Sequence, residues 1–198
     1  VLYAFSTAEG SFTFSNFSAI GDYAVVFGRS FKLALIATAI CLLIGYPVSY
    51  IMSREGEKFQ RVAMGLIMLP MWMSFLIRTY SWITILANTG LINTFLGKLG
   101  IEPLKLINTP GAVILGMVYD FIPYMILPIY SVMSKIDNSL LEASDDLGAN
   151  AFNKFKRVIF PLSRPGVISG ITMVFVPSVS TFYISQKLGG TGTTLIGD

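Results

Sequence analysis

The chain has 198 residues, 54% of them hydrophobic and 13% charged, and its mean hydropathy is +0.68. A soluble domain carries roughly 25% charged residues, so this composition points to an integral membrane protein. The lack of histidine removes imidazole ligands and imidazole bases, and the single cysteine, Cys41, cannot form a disulfide within the chain.

The chain begins at Val1, not methionine, and stops at Asp198 after a glycine-rich run, so further residues are expected at both ends. No basic region precedes an apolar one at the start, so no signal peptide is expected. Phe12, Phe14 and Phe17 stand among serines and threonines. They suit either a segment on the membrane surface or a loop with buried anchors.

Four apolar spans follow, at about Phe31–Met52, Val62–Leu86, Gly111–Met133 and Pro165–Ser185. Each reaches the roughly 20 residues a helix needs to cross the hydrocarbon core. Helices are expected because lipid cannot satisfy free backbone groups, and strand alternation is absent. The connection 53–61 carries Arg54, Lys58 and Arg61; the stretch 135–164 carries Lys135, Lys154, Lys156, Arg157 and Arg164. These two connections are two spans apart and so share a side, which the positive-inside rule makes cytoplasmic. Between the second and third spans, Leu91, Ile92, Phe95, Leu96 and Leu99 recur at helical spacing. They predict a short amphipathic helix at the outer interface, ended by Gly97 or Gly100, that serves as an interfacial anchor or a lip for a partner.

Pro47, Pro70, Pro123, Pro128 and Pro177 fall inside spans and predict bends in the bundle. Two charges lie at membrane depth. Asp120 is near the middle of its span, and Arg78 is nearer the outer end of its own. A charge at mid-bilayer costs roughly 2.5–3.5 kcal/mol, so such residues are rarely idle. Arg78 can snorkel or pair; Asp120 can pair or face a polar cavity and meet a cationic substrate. Aromatic residues near them, Tyr119, Tyr124 and Trp82 among others, suit an alkylammonium group or ordinary packing. Asp120, Tyr119, Tyr124, Arg78 and Trp82 are therefore the candidate substrate pathway. No GxxxxGK[ST] occurs, and the glycines at 189–194 lack its lysine, so the chain is expected to bind no cofactor or ATP itself and not to be an enzyme.

The longest polar segment between spans is Asp137–Pro165. Asp137 is placed to cap a helix with Leu140, Leu141, Ser144 and Leu147 on one stripe, and Gly148 to end it. Asn150 is placed to cap a second short helix with Phe152, Phe155 and Val158 or Ile159 at helical spacing, and Pro161 and Pro165 to return the chain to the membrane. Two amphipathic helices around a glycine turn make a knob suited to a partner's groove.

Glu142, Ala143 and Ser144, then three residues, Gly148, nine residues, and Val158, Ile159, Phe160, Pro161 resemble the EAA motif, EAA-x3-G-x9-I-x-LP, of permease subunits of type I ABC importers. Ser144, Val158 and Phe160 depart from it. The runs IGYPVSY, SFLIRTYSWITIL and GMVYDFIPYMILPIYSVMSKID resemble bacterial spermidine/putrescine permeases in particular. The resemblance implies an all-α polytopic membrane bundle, a single transmembrane domain over 1–198 with four spans of about six visible, and a bacterial plasma-membrane location. It implies a cytoplasmic coupling element at 137–165, docked on the ATPase through Glu142, Ala143, Gly148 and Pro161. The apolar and turn residues Ser144, Leu147, Phe152 and Phe155 complete the docking set. The implied partners are a second permease subunit, a cytoplasmic ABC ATPase dimer that uses ATP, an extracytoplasmic polyamine-binding protein and membrane lipid, with no nucleic acid. A same-fold permease for sulfate, molybdate, iron or a phosphonate stays open, as does a secondary transporter or membrane scaffold.

Overall fold

A computed structural model describes residues 20–181 and 183–189. The readings on Phe12, Phe14, Phe17 and the glycines beyond Gly189 lie outside those residues. Every described element is a helix. Helix α1, Ile20–Arg54, holds the first predicted span and runs on at both ends. At 1.5 Å per residue its 35 residues are about 52 Å long, more than the roughly 30 Å of hydrocarbon.

The second predicted span, Val62–Leu86, is not one helix. It divides into α2, Glu57–Trp72, and α3, Phe75–Leu86, joined by Met73 and Ser74 in extended conformation. The runs Glu57–Trp72 and Phe75–Lys98 meet at 91°. Pro70 has no N–H to give the preceding turn, and the Met73 N–H folds back to its carbonyl at 3.2 Å, closing α2. Next comes α4, Leu91–Lys98. Gly97 lies inside it, and Gly100, with φ +76°, supplies the left-handed residue beyond its end. Buried Asn93 holds the following loop: it donates to the carbonyls of Ala87 (3.2 Å) and Leu104 (3.0 Å) and accepts from the Leu104 N–H (2.8 Å).

Helix α5, Pro110–Met133, starts at a Thr109 cap with Pro110 in its first turn. After α6, Asn138–Asp146, and α7, Ala151–Lys154, a π-helical turn at Phe155–Ile159 leads straight into α8, Phe160–Ser180. The predicted second short helix is therefore the first part of a single helical run, Ala151–Ser180, and Pro161 marks no break. In a regular helix the Pro161 ring would crowd the Arg157 carbonyl; the wider turn just before it, where the Phe160 N–H reaches back to Phe155 O, relieves that crowding. The fourth span ends at Ser180, not Ser185, because Thr181 is extended and a short α9, Tyr183–Leu188, follows.

Helices α1, α5 and α8 pack on one another with α5 in the centre. One core cluster gathers Leu33, Val113, Met117, Ile184 and Leu188; a second gathers Cys41, Met125, Ile129, Met133 and Ile159. Lipid offers no hydrophobic drive between helices, so contact area and small residues decide the packing. On α8, a Cβ at Gly166 would lie 2.8 Å from Pro128 O, and one at Gly170 would lie 2.8 Å from Met125 Sδ and 3.1 Å from its carbonyl. Backbone cannot move aside as a side-chain tip can. Gly166→Val is expected to cost about 1–3 kcal/mol by overpacking, read as a lower thermal midpoint in detergent. Gly65→Val is the control, because nothing lies within 4 Å of that Cβ position; equal midpoints for the two variants would refute the packing argument.

Candidate functional site

The connections 53–61 and 135–164 lie at one end of the bundle, as their separation by two spans predicts. Arg54 bonds Asn138 Oδ1 at 2.8 Å, and Tyr130 donates to Gln60 at 2.7 Å. At that end the predicted docking segment takes shape from local chemistry. Asp137 accepts the Ser139 N–H at 3.0 Å and starts α6. That bond holds the Asp137 carboxyl below the usual carboxylate range. Gly148, at φ +73°, ends the helix, with its N–H on Asp145 O at 2.8 Å and the Ala149 N–H on Ser144 O at 3.0 Å. Asn150 accepts the Asn153 N–H at 2.8 Å and starts α7. Lys154 crosses the turn to Asp145 at 2.6 Å, an exposed pair worth little in stability.

The predicted apolar stripe of α6 splits. Ser144 is buried, donating to Leu141 O at 2.7 Å, and Leu141 packs toward the core. Leu147 and Phe152 project outward, 88% and 67% exposed, with Phe155 also exposed. Glu142 and Ala143 are exposed beside them. Beside Leu147 lies a hollow of about 280 Å³ walled also by Ser144, Gly148, Asn153, Arg157 and Val158. Apolar side chains are thus held out on a capped, glycine-hinged frame next to a concavity. Pro161 stands back from this face, in the first turn of α8.

Inside the membrane, Arg78 of α3 and Asp120 of α5 are 2.6 Å apart and 9% and 2% exposed. Arg78 therefore does not snorkel, and Asp120 meets Arg78 instead of facing a polar cavity. The guanidinium also lies 5.8 Å over the Phe75 ring. One helical turn on from Arg78, Trp82 meets Tyr119 edge-on at 5.4 Å. These two aromatics line a cavity of about 440 Å³ with Ile40, Ile114, Val118 and Ile122. Its wall offers aromatic faces and no carboxylate. Tyr124 stands apart from this group, exposed and touching Phe121.

A second hollow, of about 350 Å³, went unread in the sequence. Phe75 and Leu76 at the break between α2 and α3, Pro177, Ser180 and Thr181 at the end of α8, and Tyr183 line it with Phe121. The interrupted second span and the end of α8 thus open on one space. Pro70 and Pro177 were its only signals in the sequence.

Residues 45–197 match the family described as binding-protein-dependent transport system inner membrane component. The spermidine/putrescine transport system permease protein PotB of Haemophilus influenzae is 42% identical over 205 residues, covering 98% of this chain and 72% of that protein. The PotB protein of Escherichia coli K12 is 39% identical over 191 residues, covering 94% and 70%. In fold, the chain resembles a chain of the crystal structure of a bacterial alginate ABC transporter in complex with an alginate pentasaccharide-bound periplasmic protein. The TM-score is 0.66 and the identity 17%, over 86% of this chain and 62% of that one. The chain is therefore a multi-pass inner-membrane permease that belongs to the family of binding-protein-dependent transport system inner membrane components.

Proposed function

We propose that this chain forms half of the translocation pathway of an ATP-driven polyamine importer. The observation that carries the substrate is the 42% identity to a spermidine/putrescine permease across 98% of the chain. A second permease subunit forms the other half, an extracytoplasmic protein delivers the polyamine, and a cytoplasmic ATPase dimer binds and hydrolyses the ATP. The face carrying Leu147, Phe152, Glu142 and Gly148 docks on that ATPase, which supports the reading that this chain itself holds no nucleotide. Within the pathway the open aromatic faces of Trp82 and Tyr119 meet the alkylammonium chain by cation–π attraction. Asp120 lies one residue behind Tyr119 with its charge balanced by Arg78, so it contributes a field and not a direct contact.

The test is uptake of radiolabelled spermidine by cells carrying the whole transporter, with unlabelled competitors. Putrescine is expected to compete, and sulfate, molybdate, iron and phosphonate to leave uptake unchanged. Competition by any of those four, or uptake that persists when the ATPase Walker lysine is replaced, would overturn the reading.

A further inference from the structure

The docking element leaves the membrane after α5 and returns at the π-helical turn before α8, yet both of its roots are gripped by α1. Tyr46, Tyr50 and Arg54 recur every fourth residue along the inner end of α1 and so share one face. At the outgoing root, Arg54 donates to Asn138 Oδ1 (2.8 Å), Ile136 O (3.4 Å) and Met133 O (3.5 Å). Its guanidinium lies 5.9 Å over the Tyr50 ring. At the returning root, the Tyr46 hydroxyl is 2.9 Å from Ser163 Oγ. The Tyr46 ring meets Phe155 edge-on at 5.7 Å and lies 6.5 Å from Phe160. Phe155 opens the π-helical turn, and Ile159, which closes it, is buried in the core.

A force applied at Leu147 and Phe152 therefore has two routes into the membrane. One is the covalent path through α5 and α8. The other crosses side chains into α1, which is joined to the element by no short connection. An aromatic edge and a forked guanidinium transmit displacement well, because both are stiff and both are held at several points.

We propose that Tyr46 and Arg54 are positioning residues for energy coupling: they make α1 move with the docking element, so that ATPase closure shifts all three core helices together. The proposal rests on the reading that 137–165 docks on the ATPase.

The test uses the whole transporter, with both permeases, the ATPase and the binding protein, reconstituted in liposomes. Its variants are Tyr46→Phe, Arg54→Lys and the double variant Tyr46→Phe/Arg54→Gln. Three quantities are read: ATPase retained on purification, ATP hydrolysis with and without loaded binding protein, and spermidine moved per ATP. The double variant is expected to keep its ATPase and its basal hydrolysis while spermidine moved per ATP falls about tenfold, the scale set by losing one or two such contacts. The single variants are expected to fall less. An unchanged ratio overturns the proposal. So does a proportional loss of hydrolysis and transport, or failure of the conservative single variants to assemble, since each shows that the face merely holds the fold. Retention of the ATPase by a Gly148→Val transporter would instead defeat the docking reading, whatever Tyr46 and Arg54 do.

Discussion

Asp120→Ala is expected to destabilise the folded protein by about 3–5 kcal/mol, because it leaves the Arg78 guanidinium buried without its counter-charge. Arg78→Leu alone is expected to do comparable harm by stranding the carboxylate. The double variant Arg78→Leu/Asp120→Leu removes both charges and should recover most of the loss, since an apolar pair in the same space is often as stable as a buried ion pair. Thermal midpoints of the purified protein in detergent, assembled into a double-mutant cycle, measure this. A double variant whose loss equals the sum of the two single losses would show that Arg78 and Asp120 act separately. Recovery in the double variant places the pair's role in fixing α3 against α5 beyond the break at Met73 and Ser74, and spermidine uptake by that stable double variant reads the role.

Gly148→Val should abolish most transport without unfolding the bundle. At φ +73° an L-residue costs about 1–3 kcal/mol, and a β-branched one lies at the high end. Nothing lies within 4 Å of the Cβ position, so the penalty comes from the backbone alone. The turn can escape it by letting α6 and α7 swing apart, which separates Leu147 from Phe152 and widens the hollow beside Leu147. A loss of more than about tenfold in uptake is expected, with less ATPase retained on purification. Gly148→Asn, which adds a comparable side chain but visits the left-handed region readily, should stay close to the parent. Equal damage from Asn and Val would show that the space matters and the conformation does not.

What was legible in the sequence depended on the range of the interaction. The caps at Asp137 and Asn150 and the left-handed Gly148 were readable because each bond closes within three residues. The spans of α1, α5 and α8 were readable because each is a long apolar run. The 91° bend was not. Pro70 announces a weak turn, but the angle is fixed by Arg78 on Asp120 and Trp82 on Tyr119, contacts between residues some forty positions apart in sequence. The two intramembrane charges were visible as an anomaly, although their pairing needed the neighbours of α3. The π-helical turn left almost no trace, since a bond reaching five residues back instead of four shifts the apolar rhythm by a single position; Pro161 just after it was the one hint. Tyr46 and Arg54 went unread because one lies in an apolar run and the other in a basic loop, and only their four-residue spacing joins them.

The interrupted second span also carries its own optical labels. The protein has two tryptophans, Trp72 and Trp82, and they stand on opposite sides of the break. Trp72 is 84% exposed at the end of α2, while Trp82 is half-buried with its ring against Tyr119. Their emission should therefore differ in wavelength and in quenching by brominated lipid. A change in the angle between the two halves during a transport cycle would alter both signals at once, and replacing either indole with phenylalanine would isolate the other. The native fluorescence of the chain is thus a label-free gauge of the bend.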